Sequence, residues 1–317
     1  MRSSRYTLKG EGYYYLRMEP LVGRLRLTGE ERDVLMDLVA QVSGFTGVEV
    51  LECVALPTGI QLVVRANPEK REALDSDELV ARFRVLYGDA MIWHGLTAGR
   101  LEQLLSSGGE KAERAQRELR ALMEDVSQMM KIMKQRYSVW YNRRHRMRGS
   151  VWAERFQSVL LDPKAETVGW FRALAQTAPV RAGEVADPTD YRWSTAAPEG
   201  WQGSRQFPQS PELQEWTAQA VEEARAWMLA PDSQVERIEA GRCPPEKLEA
   251  TVTGGIIVGS EDFVRHHHTQ WKGMPRAVPI EDIGIPLWAA RGWRRRFLEE
   301  DPASPESPEA NAPPPPL

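Results

Sequence analysis

The densest concentration of charged side chains in the sequence runs from residue 131 to residue 155. Eight Lys/Arg stand there (Lys131, Lys134, Arg136, Arg143, Arg144, Arg146, Arg148 and Arg155) against one acid, Glu154. The excess of +7 sits in a chain whose formal charge is −4, so the remainder is strongly acidic. Aromatic residues interleave the cations: Tyr137, Trp140, Tyr141, Trp152 and Phe156. Cations neutralise phosphates and aromatic faces stack on bases, so the pattern suits a channel for single-stranded nucleic acid. A solvated helix end is the plain alternative. The candidate phosphate ligands are Lys131, Lys134, Arg136, Arg143, Arg144, Arg148 and Arg155. His145 lies between arginines, where it contacts phosphate or is simply solvated. Trp140 and Trp152 either stack a base or join the core. Six phosphate contacts would give a slope of log K against log salt of about −4 to −5.

The other reactive residues carry less. Tyr137 and Tyr141 fall on the apolar stripe of a helix and read as packing residues. His94 stands alone. His266 to His268 resembles a metal tract, but successive helical residues point about 100° apart, whereas a ligand pair wants i, i+4 spacing. The stretch from Gly254 to Ser260 lacks the Gly-Lys-Ser/Thr end of a phosphate-binding loop and reads as a tight turn beside a buried strand. Two cysteines, Cys53 and Cys243, make neither a disulfide framework nor a zinc site alone.

These residues need a scaffold, and the composition allows one. Of 317 residues, 42% are hydrophobic and 27% charged, an ordinary globular balance. The acidic total excludes a uniformly basic nucleic-acid binder. No run approaches the ~18 apolar residues of a membrane span, and residues 1–10 hold no apolar signal core. A cytoplasmic protein with no membrane partner is expected.

Residues 13–18 form a β-prone run with three consecutive tyrosines. Thr28 and Glu31 form a capping box that opens a helix carrying Val34, Leu35, Leu38, Val39 and Val42. Residues 48–56 and 60–65, parted by Pro57, Thr58 and Gly59, predict a hairpin. Helices are expected over 75–87 and unbroken over 111–142, the latter with an apolar stripe from Leu119 to Tyr141. A strand follows over 151–161 and a helix over 165–177. This order reads as α+β, with helices packed on an antiparallel sheet. Beyond Gly200 the composition shifts, and a helix is expected over 211–228. The predicted organisation is a domain over 1–200, a mainly helical extension over 201–297, and a Pro-rich disordered tail over 298–317.

Several blocks then align in order. They are Val48 to Pro57 followed by Leu62 to Arg65; Met133-Lys-Gln-Arg-Tyr-Ser-Val-Trp-Tyr-Asn-Arg-Arg-His145; Gly149 to Leu161 with Trp-x-x-Arg-Phe-x-Ser; Pro179-Val-Arg-Ala-Gly183; and Asp187-Pro-Thr-Asp-Tyr-Arg-Trp-Ser194. Together they resemble the single-tyrosine HUH transposases, in the REP-associated tyrosine transposase branch, from about Tyr13 to Ser194. The resemblance implies a ferredoxin-like sheet and a DNA partner, single-stranded or hairpin, and it leaves homodimerisation open. It also implies a His-apolar-His pair holding a divalent metal such as Mg or Mn, and a helix-borne tyrosine that attacks the scissile phosphate. A phenol with pKa near 10 is a poor nucleophile, so the metal must stabilise the developing charge.

This sequence departs at those positions. Where the family has the histidine pair after the hairpin proline, it has Gly59 and Gln61. Counting back from Pro179, Leu174 stands in the tyrosine position, and Ala178 replaces the asparagine before that proline. No catalytic residue and no metal ligand are therefore expected. Arg181, in the Pro-Val-Arg-Ala-Gly block, serves DNA or fixes the turn. The expected function is DNA binding by a catalytically inactive relative of these enzymes. Three alternatives stay open: an active nuclease with a relocated tyrosine, a protein-interaction module without nucleic acid, and a decaying remnant.

Overall fold

In a computed structural model, the structure describes residues 7–21, 27–89, 95–153, 155–197, 207, 211–230, 255–270, 277–280 and 285–291. The predicted disordered tail, His94 and Cys243 lie outside them. The first strand, β1 (Gly12–Met18), is followed by helix α1 (Gly29–Thr46) and a hairpin of β2 (Glu49–Leu56) and β3 (Gly59–Ala66). Four helices follow: α2 (Ser76–Tyr87), α3 (Ala98–Ser107), α4 (Gly109–Arg120) and α5 (Val126–Arg144). Strand β4 (Gln157–Leu161) leads to α6 (Ala165–Gln176) and the one-turn α7 (Ala178–Arg181). The rest comprises α8 (Pro211–Met228), β5 (Gly255–Gly259), α9 (Glu261–Gln270), β6 (Ala277–Ile280) and β7 (Leu287–Arg291).

The strands make one seven-stranded sheet in the order β2-β3-β1-β4-β5-β7-β6. Every neighbouring pair is antiparallel except β4 and β5, which run parallel. The order β2-β3-β1-β4, with a helical crossover after β1 and another after β3, is that of a ferredoxin-like sheet. The fold is thus α+β, as expected. The extension is helical in most of its described length and also lengthens the sheet by three strands. No described helix is long and apolar enough to cross a membrane.

Side-chain alternation divides the core into two layers. Tyr14, Leu16 and Met18 of β1 face a cluster completed by α1 to α5. Tyr13 and Tyr15 face the opposite cluster, built with α6 and α8. Three consecutive tyrosines are therefore buried because both faces of this strand are covered. The capping box of α1 is present, with the Thr28 N–H donating to Glu31 Oε2 at 2.7 Å.

The expected continuous helix over 111–142 is broken at residues 121–125. Glu124 has φ of 52°, its N–H donates to the Thr46 carbonyl at 2.7 Å, and its carboxylate accepts from Arg82 at 3.4 Å. These partners, distant in sequence, fix a left-handed residue that no helix accommodates. Asp125 then caps α5 by accepting from the Gln128 N–H at 2.8 Å. The strand expected over 151–161 is regular only from Gln157. Gly255 and Gly259, expected in a turn, lie in β5 itself, and a Cβ on Gly259 would collide with Asp162, just after β4.

Edge strand β2 is not left bare. The Ala55 N–H donates to the Trp193 carbonyl at 2.9 Å, and the Thr195 N–H to the Cys53 carbonyl at 3.0 Å. The Asp187 to Ser194 block thus closes the sheet edge. Tyr191 donates to the Ala55 carbonyl at 2.8 Å, Trp193 Nε1 donates to Asp33 at 2.8 Å, and Arg32 lies 3.5 Å from the Trp193 ring centroid.

Candidate nucleic-acid interface

The interface is built where α5 ends and the chain turns towards β4. Met129, Met130, Met133, Tyr137 and Tyr141 bury one side of α5. The opposite side presents Lys131, Gln135, Val139 and Arg143 at i, i+4 spacing, all exposed. The turn after the helix adds Arg146 and Arg148, and Arg155 follows, all exposed. Among the described residues, Lys131, Arg143, Arg146, Arg148 and Arg155 form no ion pair within 4.0 Å.

Other expected phosphate ligands are engaged by the fold. Arg144 forks onto Glu30 at 3.1 and 3.2 Å, and its guanidinium holds the Glu30 carboxyl below its ordinary range. His145 Nε2 lies 2.8 Å from Glu31 Oε1, and its ring stacks on Tyr141 at 4.1 Å. Arg136 turns inward, donating to the Leu86 carbonyl at 3.2 Å over the Tyr87 ring, and burial pushes its pKa down. Lys134 is half-buried, and its carbonyl accepts from Trp152 Nε1 at 3.4 Å. The acids of α1 thus take Arg144 and His145, a pairing hidden in sequence because α1 lies far upstream.

The aromatics also divide. Trp152 is 3% exposed and packs 5.1 Å from Tyr137, so it is a core residue and cannot stack on a base. Phe156 is buried and Trp140 half-buried. Tyr137 is fully buried, donates to the Glu31 carbonyl at 3.4 Å, and has its phenol pushed far up by burial. Tyr141 is shifted the same way. Both shifts oppose the needs of a nucleophile.

The loop after α5 reaches the end of the sheet. The Leu21 N–H donates to the Val151 carbonyl at 2.9 Å, and the Ala153 N–H to the Glu19 carbonyl at 3.1 Å. Beside Glu19 lies a cavity of about 230 Å3. Its walls include Arg17, Glu19, Thr58, Gly59, Gln61, Ala178 and Arg181. Arg17 and Gln61 are register partners on β1 and β3 and project to the α6 side. The structure therefore brings Gly59, Gln61 and the Pro-Val-Arg-Ala-Gly turn to one place. Leu174 does not line this cavity; it is fully buried in the layer under α6. Arg181 donates to the Leu174 carbonyl at 2.9 Å and to Thr177 Oγ1, and so caps α6. Arg17 pairs with Glu19. It was missed in sequence, although a lone cation in an apolar strand was a readable signal.

The implied metal does not fit this cavity. Gly59 has no donor atom, and its φ of 144° packs it so that a Cβ would collide with the Met18 carbonyl oxygen. Gln61 offers one neutral amide oxygen, and Glu19 is the lone carboxylate among the described residues that line the cavity. Among the described residues, no three His, Cys, Asp or Glu side chains converge as a metal site. His266 and His267 meet edge to face at 4.9 Å, and burial pushes His267 down.

No protein-family model and no curated protein matches the chain. Among solved structures, it is similar to that of a REP-associated tyrosine transposase bound to a REP hairpin. The match has 14% identity and a TM-score of 0.38, and covers 62% of this chain and 82% of that one.

Proposed function

We propose that the protein binds single-stranded or hairpin DNA through the exposed cations of α5 and the loop after it, without cleaving the strand. The observation that carries this reading is the set Lys131, Arg143, Arg146, Arg148 and Arg155. Five exposed cations without an ion-pair partner among the described residues follow closely along α5 and the stretch after it, in a chain with net charge −4. Such a patch draws a polyanion to one face while the acidic remainder repels it elsewhere. The sequence blocks shared with single-tyrosine transposases name DNA as that polyanion. Gly59, Gln61 and Leu174 leave the family's metal and nucleophile positions without suitable groups, which supports binding without catalysis. Residues 1–200 would carry this function, with 201–297 as an extension of the sheet.

The test is fluorescence anisotropy of a labelled hairpin titrated with salt, with and without manganese. Five phosphate contacts give an expected slope of log K against log salt of about −3.5 to −4.5. Arg143→Ala with Arg148→Ala should flatten it by roughly 1.5 to 2 units. Arg136→Ala should leave the slope unchanged. No binding at low salt would overturn the reading in favour of a protein-interaction module. A covalent adduct formed only with metal would overturn its non-catalytic part.

A further inference from the structure

The cavity between the hairpin turn and α7 has lost a metal's ligands but not positive charge. Two guanidiniums, Arg17 and Arg181, line it against one carboxylate, Glu19. We propose that this cavity binds a terminal phosphate of a nucleic-acid strand, held by Arg17 and Arg181 without a metal ion. The inference rests on the DNA-binding reading above and adds a second site to it.

Three observations carry it. The first is charge and shape. A guanidinium presents five N–H donors in a planar fork, so it can keep a protein partner on one edge and bind an oxyanion with another. Arg181 is already oriented by the Leu174 carbonyl and Thr177, and Arg17 by Glu19. Such anchoring lowers the entropy lost on binding. Thr58 and the buried Gln61 add polar groups to the wall. The second is size. About 230 Å3 lies below the ~300–1,000 Å3 of pockets for drug-sized ligands. It accommodates a phosphate and part of a sugar rather than a strand running through. A terminal monoester, which carries up to two negative charges, also matches two arginines better than a singly charged diester. The third is position. Residues 151–153 hydrogen-bond along Glu19 to Leu21, so the cationic loop leads to the cavity rim. A strand lying on that loop can place its end at Arg17.

The test compares hairpin DNA carrying a 5′-phosphate, a 3′-phosphate or only hydroxyl ends, in EDTA. One phosphorylated form should bind about tenfold tighter than the hydroxyl form. Arg17→Ala and Arg181→Ala should each abolish that preference while leaving the hydroxyl-ended hairpin within about twofold. Arg181→Ala also removes the α6 cap, so a thermal melt accompanies it. Glu19→Gln spares the cap and should increase the preference, because Arg17 then loses its competitor. Equal binding of all three forms overturns the proposal, as does a preference that survives both arginine variants or exists only with added metal. If hydroxyl-ended DNA binds with a steep salt slope and phosphate adds nothing, this inference fails alone. If no hairpin binds, yet inorganic phosphate raises the melting temperature of the wild type and not of Arg17→Ala, the cavity stands and the DNA reading falls. Binding of neither overturns both.

Discussion

Replacing Arg172 by methionine is expected to cost about 3–5 kcal/mol of stability, read as a drop in the urea midpoint. The size follows from what the side chain neutralises. A bulge at Leu51 of β2 places two successive residues on the α6 face, which turns Glu52 beneath that helix. Glu52 is 1% exposed, and Arg172 lies 3.5 Å from its Oε2. Gln176 donates to the same oxygen at 2.7 Å, and Thr195 donates to Oε1. Arg172 also donates to Thr217 Oγ1 at 2.5 Å and to Gln214, joining α6 to α8. Removing the cation leaves a buried carboxylate with only neutral donors. Adding Glu52→Leu should recover more than half of the loss, because a pair replaced together leaves no orphaned charge.

The same pair sets a pH dependence. Burial pushes the Glu52 carboxyl above its ordinary range, against the opposing pull of Arg172. The folded state then binds more protons than the unfolded state above the ordinary glutamate range, so stability falls as pH rises through that window. Without Arg172 the carboxyl moves further up. Its loss should therefore cost less at pH 5 than at pH 8, and a difference of the opposite sign would contradict this account.

Such networks mark where sequence reading stops. The capping box of α1, the hairpin, the covered tyrosine strand and α8 were legible because each rests on local chemistry or on a period of 2 or 3.6 residues. The break before α5 was half legible. Asp125 with Gln128 is a readable cap, but the left-handed Glu124 is held by Arg82 and Thr46, which only the fold supplies. The cationic segment behaved likewise. Counting charges found it, whereas the capture of Arg144 and His145 by Glu30 and Glu31 required knowing that α5 ends over the start of α1. Trp152, among cations in sequence, could have stacked a base or joined the core, and only the fold decides, burying its ring against Tyr137. The cavity was the least visible feature, since β1, β3 and α7 contribute to it from three separate stretches of chain.

Placing histidine at position 59 is expected to damage the hairpin rather than create a metal ligand. Gly59 has φ of 144° and approaches Met18 and Glu19 so closely that any Cβ must displace backbone. Strain and collision together should cost about 2–4 kcal/mol for Gly59→Ala, and more for the larger ring. The obstacle is rigid because Met18 and Ile60 are register partners in a central strand pair, and both are buried in the same layer. Leu174→Tyr meets a different barrier. Its side chain is fully buried and does not line the cavity, so a phenol there would overpack the layer under α6. A variant combining Gly59→His, Gln61→His and Leu174→Tyr should therefore melt well below the wild type. It should also fail to take up manganese by electron paramagnetic resonance. A stable, manganese-binding triple variant would mean that the backbone accepts these three side chains. The expected failure places the barrier in the backbone at Gly59 as much as in the missing side chains. The surface proposed to bind DNA needs neither, because its cations, Lys131 and Arg143 on α5 and Arg146, Arg148 and Arg155 after it, are already exposed.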